Sequence, residues 1–363
     1  MKVPRQPEAD RESIAAWVSV ILDERSSPGE LHQAVNGMAD QLFTWAGLVV
    51  GSVTPGPDSN ETVLDCGIAI SPVDAAMCLR DLARTTAFLR GVDRAIGQLL
   101  ETGQGEPVRI LYAGCGPFAP LVVPLLHRYR AGEVEVRLLD IHGRSLELCR
   151  SLVERLGVAD RIVGYVEADA AVYRVDGSLP HLVITETMQA ALEKEGQVAI
   201  AANLGGQLEP EGILIPEAVR LTAVLLDPRD EFSVEMRREE RRVALGTVLE
   251  LTRDSAGSIV RASEEFRPLT CLDLPASRRP GLEPWVLTEI EVHDGIGIRP
   301  HESGLTIPRP ILLDRPLEVG ERLCCHYRSG PSPGLVFRIA SPAAGTFPSD
   351  SEGCARVRGS VRE

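Results

Sequence analysis

The chain has 363 residues, of which 44% are hydrophobic and 25% are charged, and its formal net charge is −14. These values are ordinary for a globular protein of about two domains. The excess of acidic side chains argues against a nucleic-acid partner or an anionic membrane surface, because both carry negative charge. No leader-like apolar core opens the sequence and no apolar segment is long enough to cross a bilayer, so we expect a cytoplasmic protein.

Two helices are predicted near the N-terminus, over residues 10–26 and 29–47. In the first, Ile14, Trp17 and Ile21 recur at helical spacing. Turn-forming residues then interrupt the pattern at 51–61. We expect residues 1–70 to form a helical lid that excludes water from a site in the remainder of the chain.

The longest helical pattern covers residues 71–101, with Ser71 as N-cap and Pro72 at the first helical position. Gly91 is expected to kink or interrupt this helix.

Strands and helices alternate from residue 108 onward. Strands are predicted over 108–114, 134–141, 161–169 and 181–187, and helices over 119–130, 145–157 and 192–205. This alternation predicts a parallel sheet covered on both faces. After Pro216, short alternating runs separated by Pro, Gly and Asp indicate antiparallel β structure. We therefore divide the chain into a lid (1–70), an α/β ligand-binding domain (71–215) and a β-rich domain (216–363).

Eight cysteines occur without a CxxC pair or a zinc-like spacing. They are Cys66, Cys78, Cys115, Cys149, Cys271, Cys324, Cys325 and Cys354. The adjacent pair Cys324–Cys325 suits neither an ordinary disulfide nor a tetrahedral zinc site. We expect eight reduced thiols and no bound metal.

Candidate binding groups follow four predicted strands, at the edge where open parallel sheets bind ligands. They are Gly114, Cys115, Gly116, Asp140, Ile141, Asp169, Ala170 and Glu186. The Asp140 carboxylate can bind both hydroxyls of a ribose, and Asp169 can accept from an exocyclic amine. Glu186 is placed to face the reaction centre. A nucleotide site is therefore predicted at this edge.

These motifs resemble the class I S-adenosylmethionine (SAM) methyltransferases, which use a GxG loop and acids after the second and third strands. Within that group the protein arginine methyltransferases are most similar, because "LRDLARTTAF" matches their Asp-x-x-Arg-Thr stretch. The resemblance implies that Arg84 binds the SAM carboxylate, for which its guanidinium fork is well matched. The other interpretation is that Arg84 pairs with Asp81 or Asp93 on the helix surface.

The resemblance extends patchily over residues 72–340. "ITETMQAALEKEG" resembles the family's loop with two glutamates, spaced as Glu186 and Glu195, and residues 208–227 resemble the segment that leads into its β-barrel. It implies an α/β class I methyltransferase (Rossmann-like) fold with N-terminal helices and a C-terminal β-rich, barrel-like domain. Because these methyltransferases commonly dimerise, the resemblance also allows a homodimer.

Two departures argue against a protein substrate. The family's Thr-His-Trp loop has no counterpart in residues 299–314, and Glu193 stands beside Glu195, so we interpret both acids as solvated helix charges. A SAM-dependent methyltransferase with a small-molecule acceptor, oriented by Glu186, is the function that this sequence favours.

Tyr112 occupies the position where the family carries an acid near the SAM amino group. One interpretation is that Tyr112 only packs in the strand. The other is that losing the acid removes the preference for a charged ammonium, so that the amine displaces methylthioadenosine and closes azetidine-2-carboxylate. "YAGCGPFAPL" and the helix before it resemble azetidine-2-carboxylate synthases. In that reaction Glu186 or Tyr112 accepts the amine proton.

Two further classes remain to be distinguished. A non-catalytic subunit with this fold would not need polar side chains at the site. The presence of all four predicted ones argues against this class: Arg84, Asp140, Asp169 and Glu186. A dinucleotide oxidoreductase is disfavoured, because Phe118 and Ala119 occupy the space that a third glycine gives a pyrophosphate.

Overall fold

The computed structural model describes residues 7–48, 59–103, 105–233, 241–275, 279, 281–318, 320–340 and 355–356. Most of the predicted break at 51–61, together with Cys354, lies outside these residues. The described helices are α1 (Pro7–Leu22), α2 (Pro28–Ala46), α3 (Pro72–Met77), α4 (Leu82–Thr102), α5 (Gly143–Leu156), α6 (Gln197–Gly205), α7 (Pro228–Glu231) and α8 (Ala256–Glu264). In the part of the chain that the structure covers, no helix has the length and apolarity needed to span a membrane.

The strands fall into an N-terminal and a C-terminal set. The first set is β1 (Thr62–Leu64), β2 (Gly67–Ala69), β3 (Val108–Ala113), β4 (Val134–Asp140), β5 (Ile162–Glu167), β6 (Leu182–Thr185) and β7 (Ile213–Ile215). The second is β8 (Ala218–Leu226), β9 (Val243–Thr252), β10 (Thr270–Asp273), β11 (Glu283–His293), β12 (Ile296–Ile298), β13 (Arg309–Pro310), β14 (Arg322–Arg328), β15 (Gly334–Ala340) and β16 (Ala355–Arg356).

A five-stranded parallel sheet in the order β5-β4-β3-β6-β7 forms the α/β region. The chain builds outward from β3 through β4 to β5, then returns to the other side of β3 with β6. Helix α4 packs against β3, α5 against β4 and β5, and α6 against β6. The reversal of strand order between β3 and β6 creates the crevice where such sheets bind ligands.

The pattern at 71–101 forms two helices that separate at Asp81, so the expected interruption at Gly91 is wrong. Asp81 has extended backbone angles, and its carboxylate caps α4 by accepting from the Arg84 backbone N–H at 3.0 Å. Gly91 lies inside an unbroken helix. Its missing side chain serves packing, because a Cβ there would lie 2.5 Å from Cγ1 of Val292 on β11.

The prediction of a helix over residues 119–130 is also wrong. This segment contains turns and a short 3-10 helix, Val123–Arg128. Pro120 and Pro124 carry no backbone N–H to donate, and Ala119 has a left-handed φ of 42°, so a regular α-helix cannot run through them.

The C-terminal region contains two antiparallel sheets, ordered β12-β11-β8-β9 and β10-β14-β15-β16, with β13 pairing β11. Among the described residues no strand pairing joins these two sheets, so they do not close into the expected barrel. The sequence predicts a change from alternating strands and helices to antiparallel β structure after Pro216. In the structure, Pro216 lies between β7 of the parallel sheet and β8 of the antiparallel one.

Cys271 and Cys324 form a disulfide, which corrects the expectation of eight reduced thiols. The two residues lie directly opposite each other on the antiparallel strands β10 and β14. This register was not visible in the sequence, where the neighbouring Cys325 made a disulfide look unsuitable. Cys325 itself remains a buried free thiol.

The two glycines of α4 should respond oppositely to alanine. Gly91→Ala pushes a methyl group into Val292 and should lower the free energy of unfolding by about 1–3 kcal/mol. Gly97→Ala meets no atom within 4 Å and should raise it by about 0.5–1 kcal/mol, because alanine favours the helix. Urea unfolding of both variants beside the wild type measures this contrast, and equal effects would contradict the described packing of α4 on β11.

Candidate active site

A cavity opens at the carboxyl ends of β3, β4 and β6. All ten residues predicted from the sequence to bind cofactor or act in catalysis line this cavity: Arg84, Tyr112, Gly114, Cys115, Gly116, Asp140, Ile141, Asp169, Ala170 and Glu186. They come together because parallel strands present their carboxyl ends at one edge of the sheet.

The glycine loop after β3 needs glycine for two separate reasons. Gly114 and Gly116 have left-handed φ values of 69° and 62°, which side chains other than glycine rarely adopt. A Cβ at Gly114 would also lie 2.4 Å from Cγ2 of Thr187, so the loops after β3 and β6 approach each other across the crevice.

Asp140 holds the glycine loop in place. Its Oδ2 accepts from the Gly116 backbone N–H at 2.7 Å, and its Oδ1 accepts from the His142 backbone N–H at 2.9 Å. The side chain is almost fully buried and faces the cavity. Because each carboxylate oxygen has more than one acceptor site, Asp140 can still accept hydrogen bonds from a ligand.

Asp169 shapes the loop after β5 in the same way. Its Oδ1 accepts from the Ala171 backbone N–H at 2.8 Å, and its backbone carbonyl accepts from the Tyr173 N–H. The loop therefore presents the Asp169 side chain and Ala170 to the cavity.

Arg84 and Glu186 form a buried ion pair between the start of α4 and the end of β6. Nε of Arg84 donates to Oε2 of Glu186 at 2.6 Å, Nη2 donates to the same oxygen, and both side chains are less than 10% exposed. The surface pairing with Asp81 or Asp93 does not occur. Burial lowers the pKa of Arg84, but the Glu186 charge outweighs that effect and raises the pKa above its usual value.

The geometry of this pair leaves N–H donors on Arg84 and a carboxylate oxygen on Glu186 that the pair itself does not use. Nη1 of Arg84 donates to the Cys78 carbonyl at 3.2 Å, so the described contacts use three of the five guanidinium N–H groups. The remaining two lie on the two terminal nitrogens, which suits a bidentate carboxylate. Both Arg84 contacts reach Oε2 of Glu186, and Oε1 receives neither.

Tyr112 is 1% exposed, and it lines the cavity with Arg84 and Glu186. Burial raises the pKa of its phenol well above the usual value, and the nearby Arg84 only partly opposes this shift. Tyr112 is therefore a neutral phenol at physiological pH. A neutral phenol is a weaker proton acceptor than a carboxylate, so the predicted role of Tyr112 as a base is less favoured by this environment than the same role for Glu186.

Glu193 and Glu195 are buried and lie outside the helix, so their interpretation as solvated helix charges is wrong. Glu195 faces the cavity, and burial together with the charge of Glu186 raises its pKa to about 8. Glu193 points instead toward Gly334 of β15, and burial raises its pKa to about 7. Their segment has left-handed backbone at Ala191, Leu192 and Lys194, which turns successive side chains in different directions.

The β1–β2 hairpin covers one side of the cavity. Residues 66–70 line it, the Ile68 N–H donates to the Lys194 carbonyl at 2.8 Å, and Thr62 Oγ1 lies 3.0 Å from Nε2 of His142. The hairpin is thus attached to the Glu195 segment and to the loop after β4. Its three-residue strands give too short a pattern to be recognised in the sequence.

Ser145 is a further cavity residue that sequence reasoning missed. It lies in the first turn of α5, it is 1% exposed, and its Oγ has no hydrogen-bond partner among the described residues. Nothing in the local sequence marks it, because its orientation depends on how α5 leaves β4. Within the same described portion of the chain, no cluster of His, Cys, Asp and Glu is suited to hold a metal ion.

Two solved structures share this architecture. The Trypanosoma brucei PRMT1 enzyme–prozyme heterotetrameric complex with AdoHcy matches with a TM-score of 0.53 and 14% identity, over 77% of this chain and 96% of that one. The chain has the fold of the protein arginine methyltransferases. Arabidopsis thaliana protein arginine methyltransferase 10 matches with a TM-score of 0.50 and 13% identity, over 77% and 95%. No family model matches the chain, and no curated protein matches it either.

The raised pKa of Glu195 predicts a pH-dependent cost to stability. Between pH 4.5 and about 8 the folded protein keeps this proton whereas the unfolded chain loses it, so the contribution of Glu195 to stability falls as pH rises. Glu195→Gln, which mimics the protonated acid, should raise the melting temperature at pH 8, with a gain that shrinks toward pH 5. Thermal melts from pH 5 to 8 measure the gain, and the exposed Glu211→Gln is the control. A gain independent of pH would exclude the described environment of Glu195.

Proposed function

We propose that the protein is a SAM-dependent methyltransferase that acts on a small-molecule acceptor. The buried Arg84–Glu186 pair carries the proposal, because it places a cation with two remaining N–H groups next to a carboxylate oxygen at the wall of one cavity. The fold supports SAM as the donor, since one neighbour of the same fold is described in complex with AdoHcy.

The residues around the cavity fit the parts of SAM. Arg84 would hold the carboxylate, Asp140 would accept from the ribose hydroxyls, and Asp169 would accept from the exocyclic amine of adenine. The backbone at Ile141 and Ala170 would border the adenine ring. Bound SAM supplies an electrophilic methyl group. The protein then has to hold the nucleophilic atom of the acceptor in line with the methyl–sulfur bond, at about 3 to 3.5 Å from the methyl carbon.

Glu186 is the group that this geometry favours for the acceptor. Its Oε1 receives neither Arg84 contact, so it can orient an acceptor N–H or O–H and take up the proton that the acceptor releases. Arg84 keeps Glu186 in position. Glu195, whose burial raises its pKa to about 8, lines the same cavity and can hold a proton there near neutral pH.

The cover over the cavity favours a small acceptor. The β1–β2 hairpin is hydrogen-bonded to the Lys194 segment on one side and lies against His142 on the other. The hairpin narrows access for a peptide chain. Under this proposal the hairpin also shields the reacting groups from bulk water, whereas helices α1 and α2 of the lid predicted over residues 1–70 do not line the cavity. Self-association of two copies is part of this proposal.

Tyr112 favours one alternative reaction on the same ligand. The phenol stays neutral, so the cavity has no acid at the position where the resembled family holds the SAM ammonium. A neutral amine would attack its own γ-carbon as the carbon–sulfur bond breaks. Methylthioadenosine would leave, and Glu186 would take the amine proton, giving azetidine-2-carboxylate.

Arg84→Lys should weaken S-adenosylhomocysteine binding by about 10- to 100-fold, because lysine cannot make a bidentate contact with the ligand carboxylate. Binding of adenosine, which has no carboxylate, should change little. Isothermal titration of both ligands checks the prediction. Arg80→Lys is the matched control, since Arg80 forms an ion pair with Asp40 outside the cavity. An equal loss for both ligands would mean that Arg84 acts only on the fold.

Incubation of the purified protein with SAM, followed by mass spectrometry, separates the reactions. Methyl transfer predicts no turnover with SAM alone and S-adenosylhomocysteine once a protein-free metabolite extract is added. Methylthioadenosine with azetidine-2-carboxylate from SAM alone would establish cyclisation instead. Methylation seen only with the protein fraction of the extract would refute the small-molecule acceptor. Native mass measurement of the same sample reports self-association.

A further inference from the structure

The hydroxyl of Ser145 is a buried polar group that the folded chain leaves unpaired. The residue is 1% exposed, and its Oγ has no hydrogen-bond partner among the described residues. Burying a hydroxyl without a partner costs free energy, so such groups are usually satisfied by a neighbour or by a bound molecule. Thr86 Oγ1 is unpaired in the same way, but Thr86 does not line the cavity.

Groups near Ser145 already have partners. The Ser145 backbone N–H donates to the His142 carbonyl at 3.0 Å. Both oxygens of Asp140 accept backbone N–H groups, and Nε2 of His142 lies 3.0 Å from the Thr62 hydroxyl. Because none of these groups is paired with Ser145 Oγ, we expect its partner to come from the cavity that the residue lines.

We propose that Ser145 is a ribose-binding residue of the nucleoside site. It donates a hydrogen bond to a ribose hydroxyl oxygen while Asp140 accepts from the ribose hydroxyls. This inference rests on the proposed SAM-binding function and adds a residue to it. Ser145 follows Asp140 by five residues, in the first turn of the helix that begins directly after the β4 loop.

The chemistry of a ribose explains why both groups are needed. Each ribose hydroxyl carries one proton to donate and lone pairs that accept. A carboxylate is an acceptor only, so Asp140 can receive the ribose protons but leaves the hydroxyl oxygens without a donor. The Ser145 hydroxyl supplies that donor from a position that excludes water, and the ligand in turn pairs the hydroxyl that folding leaves unsatisfied.

Ser145→Ala should weaken S-adenosylhomocysteine binding by about 2- to 12-fold, the loss expected for one neutral hydrogen bond. The melting temperature of the ligand-free variant should stay the same or rise, because an unpaired buried hydroxyl has been removed. Thr86→Val is the matched control. It removes the other buried unpaired hydroxyl and should leave binding unchanged. Unchanged binding in Ser145→Ala, or a lower ligand-free melting temperature with no loss of affinity, would overturn the assignment.

Deoxynucleosides identify the partner atom. The affinities of wild type and Ser145→Ala are compared for adenosine, 2′-deoxyadenosine and 3′-deoxyadenosine. The loss seen with adenosine should disappear for the analogue that lacks the contacted hydroxyl and persist for the other. An equal loss for all three nucleosides would overturn the ribose contact. Failure of the wild type to bind S-adenosylhomocysteine would refute the proposed function itself, whereas tight binding that Ser145→Ala retains refutes only the role of Ser145.

Discussion

The buried pairing of Arg84 with Glu186 is the constraint on which the site depends. Both side chains are buried, so removing one partner would leave the charge of the other without compensation. The pair therefore fixes the start of α4 against the end of β6, on the two sides of the point where the strand order reverses. A single interaction thus sets both the width of the crevice and the orientation of the two charged groups that face it.

Asp81 extends this constraint to the C-terminal region. One of its carboxylate oxygens caps α4 through the Arg84 backbone, and the other accepts from Ser303 Oγ at 2.7 Å and from the Gly304 N–H at 2.8 Å. Residues 303 and 304 belong to the segment between β12 and β13, so the antiparallel sheets help to position the guanidinium. The C-terminal region is in this way part of the construction of the site, although none of its described residues lines the cavity.

Site residues that directly follow a parallel strand could be predicted from the sequence. Site residues whose position depends on the orientation of a helix, or on packing against distant segments, could not. Asp140, Asp169 and Glu186 could be placed together because parallel strands share an edge. Ser145 could not, since its orientation is set by how α5 packs. Glu195 lies beside the β1–β2 hairpin and Glu193 lies beside β15, and both of these elements are distant in the chain. Over residues 119–130 the apolar pattern favours a helix, but the missing N–H groups of Pro120 and Pro124 prevent a regular one.

The disulfide between Cys271 and Cys324 closes a loop of 53 residues that contains β11, β12 and β13, strands of the other antiparallel sheet. The bond lies within one sheet, yet the chain that it encloses runs through both. In the chain-entropy description a closure of this length destabilises the unfolded chain by about 4 kcal/mol. Two open sheets that share no strand pairing in the described residues thus gain a common source of stability. This stability arises because the cross-link lowers the conformational entropy of the unfolded chain.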